Sequence, residues 1–330
     1  MIDRLRIRHF KSIRELDMDC SKVNVFIGEP NTGKSNILES LGLASWMAVS
    51  DKSNLHEFIR FRTLQNLFFD DEVDTDVQID IGNINIVVSF KDNNFTIKLI
   101  KTHSPTSEII LDYHGKKKNH MGNHDQRIKN IIDFIRFFRF SRLFEKKEEL
   151  SDHLMPPDGG NIVPLILSNR YYKSFISDIL KRYGFYLVLK PQDGRMEFQK
   201  NIDGIIYSYP FELLSDTLQR MIFFTLAMDS SKDSTLIFEE PESHAFPYYT
   251  KYLGEKIGRD PTNQYFIATH NPYLLNSIIE KTPKDSIRIF LTYYDNYETK
   301  VKQLSSDEVE EVLTYDPFLN LDHFLEEGKK

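Results

Sequence analysis

The sequence predicts an α/β fold built around a phosphate-binding loop, with an antiparallel meander lobe beside a parallel or mixed core sheet flanked by helices. Three observations carry this expectation. An apolar strand pattern, Val23, Val25 and Ile27, runs straight into the glycine-rich run GEPNTGKS, and a helical pattern follows at once. Short alternating segments separated by tight turns fill residues 77–101. In the last third, apolar strands alternate with helical stretches, the order that yields a parallel sheet.

Residues 1–27 read as two strands. Leu5, Ile7 and His9 alternate with Arg4, Arg6 and Arg8, and Val23, Val25 and Ile27 form the second strand. From Ser35 the spacing turns helical, with Ile37, Leu38, Leu41, Ala44 and Ala48 on one face. The meander starts with Val77, Ile79 and Ile81, turns at Gly82-Asn83, returns through 84–90, turns again at 92–94 and continues with Phe95, Ile97 and Leu99. Residues 115–124 are polar and glycine-bearing, an exposed loop. The stretch 127–147 interleaves Arg127, Lys129, Arg136, Arg139, Arg142, Lys146 and Lys147 with phenylalanines. It reads as an amphipathic helix with a solvated basic face; the other reading is a patch for nucleic acid or a partner. A second meander covers 185–209, residues 213–228 are helical, and 235–238, 265–268 and 287–291 are short apolar strands.

The run Gly28, Glu29, Pro30, Asn31, Thr32, Gly33, Lys34, Ser35 fits the pattern G-x-x-x-x-G-K-[ST] in full. Glycines let the backbone curl so that successive N–H groups converge on phosphate oxygens. The helix that follows, through Asn36, points its positive end at the same place. Lys34 can neutralise the β- and γ-phosphates, and the Ser35 hydroxyl can ligate Mg²⁺. The apolar segment 235–238 ends in Glu239 and Glu240. At the C-terminal end of a core strand, one carboxylate can hold the metal through water and the next can orient or deprotonate an attacking water. The segment 265–268 likewise ends in Thr269, His270 and Asn271, where a histidine can sense a γ-phosphate.

The order of phosphate loop, LLSDTLQR, LIFEEPESHAFP and IATHNPYLL resembles the ABC-type ATPases of the SMC, RecF and OLD group. The opening RIRHFKSI and the segment PPDGGNIVPLIL are similar to that group as well. The resemblance implies an ABC-type ATPase over nearly the whole chain, with ATP and Mg²⁺ as its ligands. It implies Glu239 as the Mg²⁺-associated acid, Glu240 as the catalytic glutamate and His270 as the switch histidine. It implies Ser215 as a signature serine that reaches the γ-phosphate of a second subunit, and Lys11 and Ser12 as nucleotide contacts near the N-terminus. The chain has Glu239 where the group usually has aspartate, and Thr217 where its signature usually has glycine. The Q-loop glutamine falls to Gln65 or Gln78.

The organisation expected is one domain over 1–330, with an N-terminal lobe at 1–113, a helical insertion at 114–184, and a lobe carrying the signature, acidic pair and histidine at 185–330. Length, 40% hydrophobic residues and 28% charged residues suit a single large soluble core. A net charge of -7 argues against a general nucleic-acid coat. One cysteine permits no internal disulfide, and the absence of a signal-peptide core or a long apolar run points to a cytoplasmic protein without a membrane partner. His114, His120 and His124 lack cysteine and regular spacing, so they are not read as a zinc site. With no heptad arms and little chain after His270, neither coiled coils nor an OLD-type nuclease domain is expected. The expected function is an ATPase that forms a homodimer around ATP and signals its state to DNA or to a separately encoded effector or nuclease. The alternative is a nucleotide-gated binding module with little hydrolysis.

Overall fold

The computed structural model of the chain describes residues 1–49, 53–101, 106–118, 122–141 and 151–326, with the side chains of 122–126 and 326 left aside. Three strands, not two, occupy the N-terminus: β1 (Arg4–Phe10), β2 (Ile13–Asp19) and β3 (Val23–Ile27). β1 and β2 form a hairpin closed at Lys11-Ser12, and the charged residues of 14–19, which hide its alternation, face water opposite the arginines of β1. After β3 comes α1 (Lys34–Ala48), then β4 (Val77–Ile81), β5 (Ile84–Lys91), β6 (Asn94–Lys101) and β7 (Ser107–Leu111). These join β2 and β1 in an antiparallel sheet of order β2-β1-β4-β5-β6-β7.

The stretch read as one basic helix is instead α2 (Gly122–Ile132) followed by β8 (Ile135–Phe138). α2 also begins inside the segment read as loop. Phe137 and Phe138 are fully buried in β8, which pairs in parallel with a core strand; burial of that aromatic run on a sheet outweighs its helical spacing. Arg142, Lys146 and Lys147 lie outside the described residues. Next come α3 (Ile162–Ser168) and α4 (Arg170–Lys181). β9 (Tyr186–Lys190), β10 (Arg195–Ile202) and β11 (Ile205–Pro210) then make a small antiparallel sheet where the second meander was expected.

The remaining elements are α5 (Asp216–Asp229), β12 (Thr235–Glu239), α6 (Pro247–Arg259), β13 (Gln264–Ala268), α7 (Pro272–Lys281), β14 (Ile287–Asp295), β15 (Glu298–Gln303), α8 (Ser306–Val312) and α9 (Leu321–Glu326). The core sheet has the order β15-β14-β3-β13-β12-β8. All of its neighbours are parallel except β14 and β15. β3 and β13 are buried on both faces, as strands covered by helices on either side must be. One face packs on α1, which is itself covered by the N-terminal sheet: Phe26, Phe137, Ile237 and Phe266 meet Leu38 and Leu41, and these meet Ile7, Ile79 and Ile86. The other face, with Val25, Leu236 and Ile267, packs on Ile222 and Phe223 of α5, Ile257 of α6 and Leu274 of α7. This is the α/β architecture expected, with the antiparallel lobe stacked on a mostly parallel core. Among the described residues no helix is long and apolar enough to cross a membrane.

Candidate functional site

Parallel strands deliver their C-terminal ends to one edge, and β3, β12 and β13 are neighbours there. The loop after β3 therefore meets the acidic pair after β12 and the histidine after β13. Between Gly28 and Gly33 the backbone takes left-handed values at Gly28, Asn31 and Gly33. A Cβ at Gly28 would lie 2.2 Å from the Thr292 carbonyl oxygen, and one at Gly33 would lie 2.0 Å from Thr299 Oγ1. Both positions thus need glycine for conformation and for space. Thr32 Oγ1 is within 2.8 Å of both the Glu29 carbonyl and Thr292 Oγ1, which fixes the loop against β14. Asn36 Nδ2 donates to Ser12 Oγ at 2.7 Å, and Ser12 Oγ meets Thr299 Oγ1 at 2.7 Å. The Lys11-Ser12 turn is thereby tied to the start of α1.

These elements enclose a cavity of about 950 Å³. Lys11, Ser12, Glu29 through Asn36, Arg60, Glu240 and His270 line it, with Thr292, Tyr293, Tyr294, Leu321, Asp322 and Leu325 on the far wall. Lys34 donates to the carbonyls of Gly28 at 2.8 Å and Glu29 at 2.6 Å. Burial pushes its ammonium down to about 8, against the pull of Glu240 and Glu29. An anion placed in the loop would push it back up.

Glu239 lies behind the cavity and is well buried. Arg139 donates to it at 2.9 Å and Arg60 at 3.0 Å, and Ser35 hydrogen-bonds to it. Burial alone would raise this carboxyl; Arg139, the Ser35 hydrogen bond and Arg60 outweigh burial and hold it below the usual range. Both arginines also reach Glu39 of α1, which is fully buried and holds Lys11 as well. Sequence reasoning missed this network. Glu39 was visible as an acid interrupting the apolar face of α1, but its partners lie 21 to 100 residues away. Arg139 was assigned to a solvated face; it points inward instead.

Glu240 is half exposed and has a left-handed φ of 43°. Its N–H donates to the Ala268 carbonyl at 2.9 Å, and its Oε2 accepts from Ser243 at 3.0 Å. His270 Nε2 stands 3.7 Å from Glu240 Oε1. Burial first, and Lys34 second, hold His270 below the usual histidine range although Glu240 pulls the other way. The imidazole is therefore mainly neutral at pH 7 and can accept or donate a hydrogen bond. Glu242, two residues on, is buried, and burial pushes its carboxyl up to about 7.

Ser215 is not among the cavity residues. It is exposed at the N-cap of α5, where its carbonyl accepts from Leu218 and Gln219, and its side chain caps nothing. Thr217 Oγ1 donates to the His244 carbonyl at 3.1 Å, joining the start of α5 to the loop before α6. Gln65 and Gln78 line no part of the cavity; Gln65 bonds Asp71 and Tyr113, and Gln78 bonds Arg8. Of the three histidines set aside as a zinc site, His120 and the side chain of His124 lie outside the described residues. No group of three or more metal-ligating side chains occurs among the described residues. A magnesium ion bound with a phosphate needs fewer, because it keeps several waters and takes one or two protein oxygens. The Ser35 hydroxyl and Glu239 carboxylate, already in mutual contact, are a hard-oxygen pair that fits it.

A family model described as "AAA domain, putative AbiEii toxin, Type IV TA system" matches residues 23–276. No curated protein matches the chain. Among solved structures the chain is similar to an Smc head bound to the C-winged helix domain of ScpA, at 14% identity, over 93% of this chain and 99% of that one, with a TM-score of 0.56. It is also similar to an Smc head domain with an extended coiled coil bound to the C-terminal domain of ScpA derived from Pyrococcus furiosus. There the identity is 13%, the coverage 95% and 98%, and the TM-score 0.54. At such identities the likeness is one of fold, and it places the chain in the P-loop ATPase fold of SMC heads.

Proposed function

The chain belongs to the family described as AAA domain, putative AbiEii toxin, Type IV TA system, and on that footing we propose that it binds and hydrolyses ATP as a single ABC-type domain over 1–330. One observation carries the reading: the loop 29–36, Glu240 and His270 converge on one cavity, with the Lys34 ammonium resting on carbonyls of its own loop. In this reading the loop amides and the N-terminus of α1 take the β-phosphate, and Lys34 leaves its carbonyls for the β- and γ-phosphates. Ser35 and Glu239 hold Mg²⁺, which when bound neutralises charge on the phosphate oxygens. Glu240 accepts a proton from the attacking water, and its position one residue beyond the last ladder pair aims it into the cavity. Neutral His270 hydrogen-bonds the γ-phosphate or that water. Lys11, Ser12 and Asn36 bound the nucleotide on the β1–β2 side.

Ser215 is not among the cavity residues of its own copy, and in this reading the Ser215 of a second copy completes the γ-phosphate site. The surface around Ser215 supports this. Leu213, before it, is 67% exposed, and Phe246, in the loop tied to Thr217, is 66% exposed. Apolar side chains flanking an exposed helix N-terminus suit a face that is covered in another state. A two-fold contact then gives two equivalent sites. For the target, a separately encoded effector protein is favoured over DNA. The net charge is -7, and Arg136 and Arg139 of the basic stretch are spent on Asp133, Ser231, Glu39 and Glu239. The second reading, a nucleotide-gated module with little turnover, rests on the two arginines that occupy Glu239.

The test is complementation. Ser215→Arg leaves ATP binding intact and abolishes both ATP-dependent dimerisation and turnover. Lys34→Ala abolishes binding. A mixture of the two regains turnover, because one composite site is whole. Sedimentation and ATPase assays of each variant alone and of the mixture decide it. A Ser215→Arg protein that hydrolyses ATP normally as a monomer would sink the dimer.

A further inference from the structure

The parallel ladder between β12 and β13 ends at Glu239 and Ala268. Glu240 and His270 lie past it, where no ladder bond holds the two chains together except the Glu240 N–H to the Ala268 carbonyl. Glu242 takes over at this point. Its residue is only 5% exposed, and its carboxyl accepts from the Thr269 hydroxyl and from the His270 backbone N–H. Thr269 is fully buried; its N–H donates to the Phe26 carbonyl at 3.1 Å, and its Oγ1 accepts from the Asn271 N–H at 3.0 Å. Asn271 in turn caps α7 through the N–H groups of Tyr273 and Leu274. One side chain thus joins the loop after β12 to the strand that feeds the phosphate loop and to the histidine after β13.

We propose that Glu242 is the positioning residue that fixes His270 against Glu240 in this site. The inference rests on reading the cavity as an ATP-hydrolysing one. A purely structural glutamate would satisfy both its oxygens, yet Oε2 of Glu242 is buried with no hydrogen-bond partner among the described residues. Such a group persists where its placement serves the site and the surroundings over-determine it. The turn 240–245 that carries Glu242 is closed by the Ser243 N–H to the Glu240 carbonyl and the Ala245 N–H to the Glu242 carbonyl.

Glu242→Ala and Glu242→Gln, made in the full chain, test this with three readouts: ATP turnover, equilibrium ATP affinity, and the NMR titration of the His270 imidazole. Glu242→Ala lowers kcat on the order of 10- to 100-fold, the scale of a misplaced reacting group. It leaves ATP affinity within about twofold, because the phosphate loop is untouched. It also raises the His270 titration midpoint toward that of an exposed histidine. Glu242→Gln keeps the accepting oxygen and returns kcat and the His270 midpoint toward wild type. If Glu242→Ala does not fold, Thr269→Val, which removes the hydroxyl and keeps the shape, carries the test with the same expected direction. Wild-type kcat and an unmoved His270 midpoint in these variants overturn the proposal. So does an equal loss of kcat and affinity that Glu242→Gln does not rescue. If the wild-type chain itself fails to hydrolyse ATP, the ATPase reading fails, and the His270 midpoint alone then decides whether Glu242 holds the histidine.

Discussion

Replacing Glu39 by glutamine tests the buried charge network behind the cavity, and its cost can be worked from the contacts. Both carboxylate oxygens are taken by cations. Oε2 holds Lys11, while Oε1 accepts from Arg60 Nε at 2.7 Å, the Arg60 backbone N–H at 3.2 Å and Arg139 at 3.3 Å. A glutamine has one oxygen, so whichever way the amide turns, an NH₂ group faces a donor. Arg60 and Arg139 then share a single carboxylate, that of Glu239, and Lys11 is left with the Arg60 carbonyl. Breaking a buried pair in this manner costs about 3–5 kcal/mol. Lys11 is only 11% exposed and cannot escape, whereas Arg60, at 58%, can turn to water, which puts the expected loss near the lower bound, about 3 kcal/mol. With an unfolding entropy of about 2.1 cal/mol/K per residue, a chain of this length loses about 4 °C in Tm. Thermal and urea unfolding followed by circular dichroism measure both quantities. The same change should raise the Mg²⁺ concentration needed for half-maximal ATP turnover, because Arg60 and Arg139 now rest on Glu239 alone. A Tm within about 1 °C of wild type, together with an unchanged Mg²⁺ dependence, would refute the view that Glu39 neutralises the arginines.

Two further outcomes follow from the site. Glu240→Gln keeps the shape of the side chain but removes its basicity, so turnover should fall about 10²-fold or more while ATP still binds and an ATP-bound dimer accumulates in size-exclusion chromatography; wild-type hydrolysis would move the base elsewhere. Lys34 carries a folded-state pKa lowered to about 8 by burial, and phosphates need its charged form, so ATP affinity should be flat below pH 8. Above that pH it should fall by up to about tenfold per unit, as binding must take up a proton; calorimetric titrations from pH 6.5 to 9.5 that show no loss would exclude Lys34 as the phosphate contact.

What could be read without coordinates was chemistry that is contiguous in the chain. The loop GEPNTGKS names its own geometry, because glycine enters left-handed backbone without strain and leaves room for a close neighbour, and Gly28 and Gly33 need both. The Gly82-Asn83 turn announced its hairpin for the same reason. Pairings between distant segments were not legible. Ile135–Phe138 carries a helical spacing, yet the segment is a strand because β12 offers it a parallel edge and a buried face. Arg139 looked like one of many surface cations; only the fold brings it to Glu39 and Glu239, each 100 residues away. Glu242 was visible as the third acid of a short run, with nothing to separate it from a solvated turn until Thr269 arrived from 27 residues downstream.

The resting site is satisfied by its own groups, and this bears on why a second copy should be required. Lys34 is held by two carbonyls, Glu239 by two arginines and a hydroxyl, and His270 stands beside Glu240. An incoming nucleotide therefore exchanges partners rather than filling bare valences. Each contact it makes is offset by one that it breaks, and the net gain per hydrogen bond is small. Contacts that break nothing contribute more. In the proposed dimer, Ser215, the N–H groups at the start of α5, Leu213 and Phe246 of the second copy would be of that kind, since the Ser215 side chain caps nothing in its own chain and both apolar residues stand in water. A ligand shifts an equilibrium only by its differential affinity for the two states. ADP exchanges the same partners around Lys34 but has no γ-phosphate to present to the second copy. In the proposed dimer the ATP-specific part of the binding energy is concentrated at the seam, and that is the condition under which hydrolysis, with Glu240 as the proposed base, would open it.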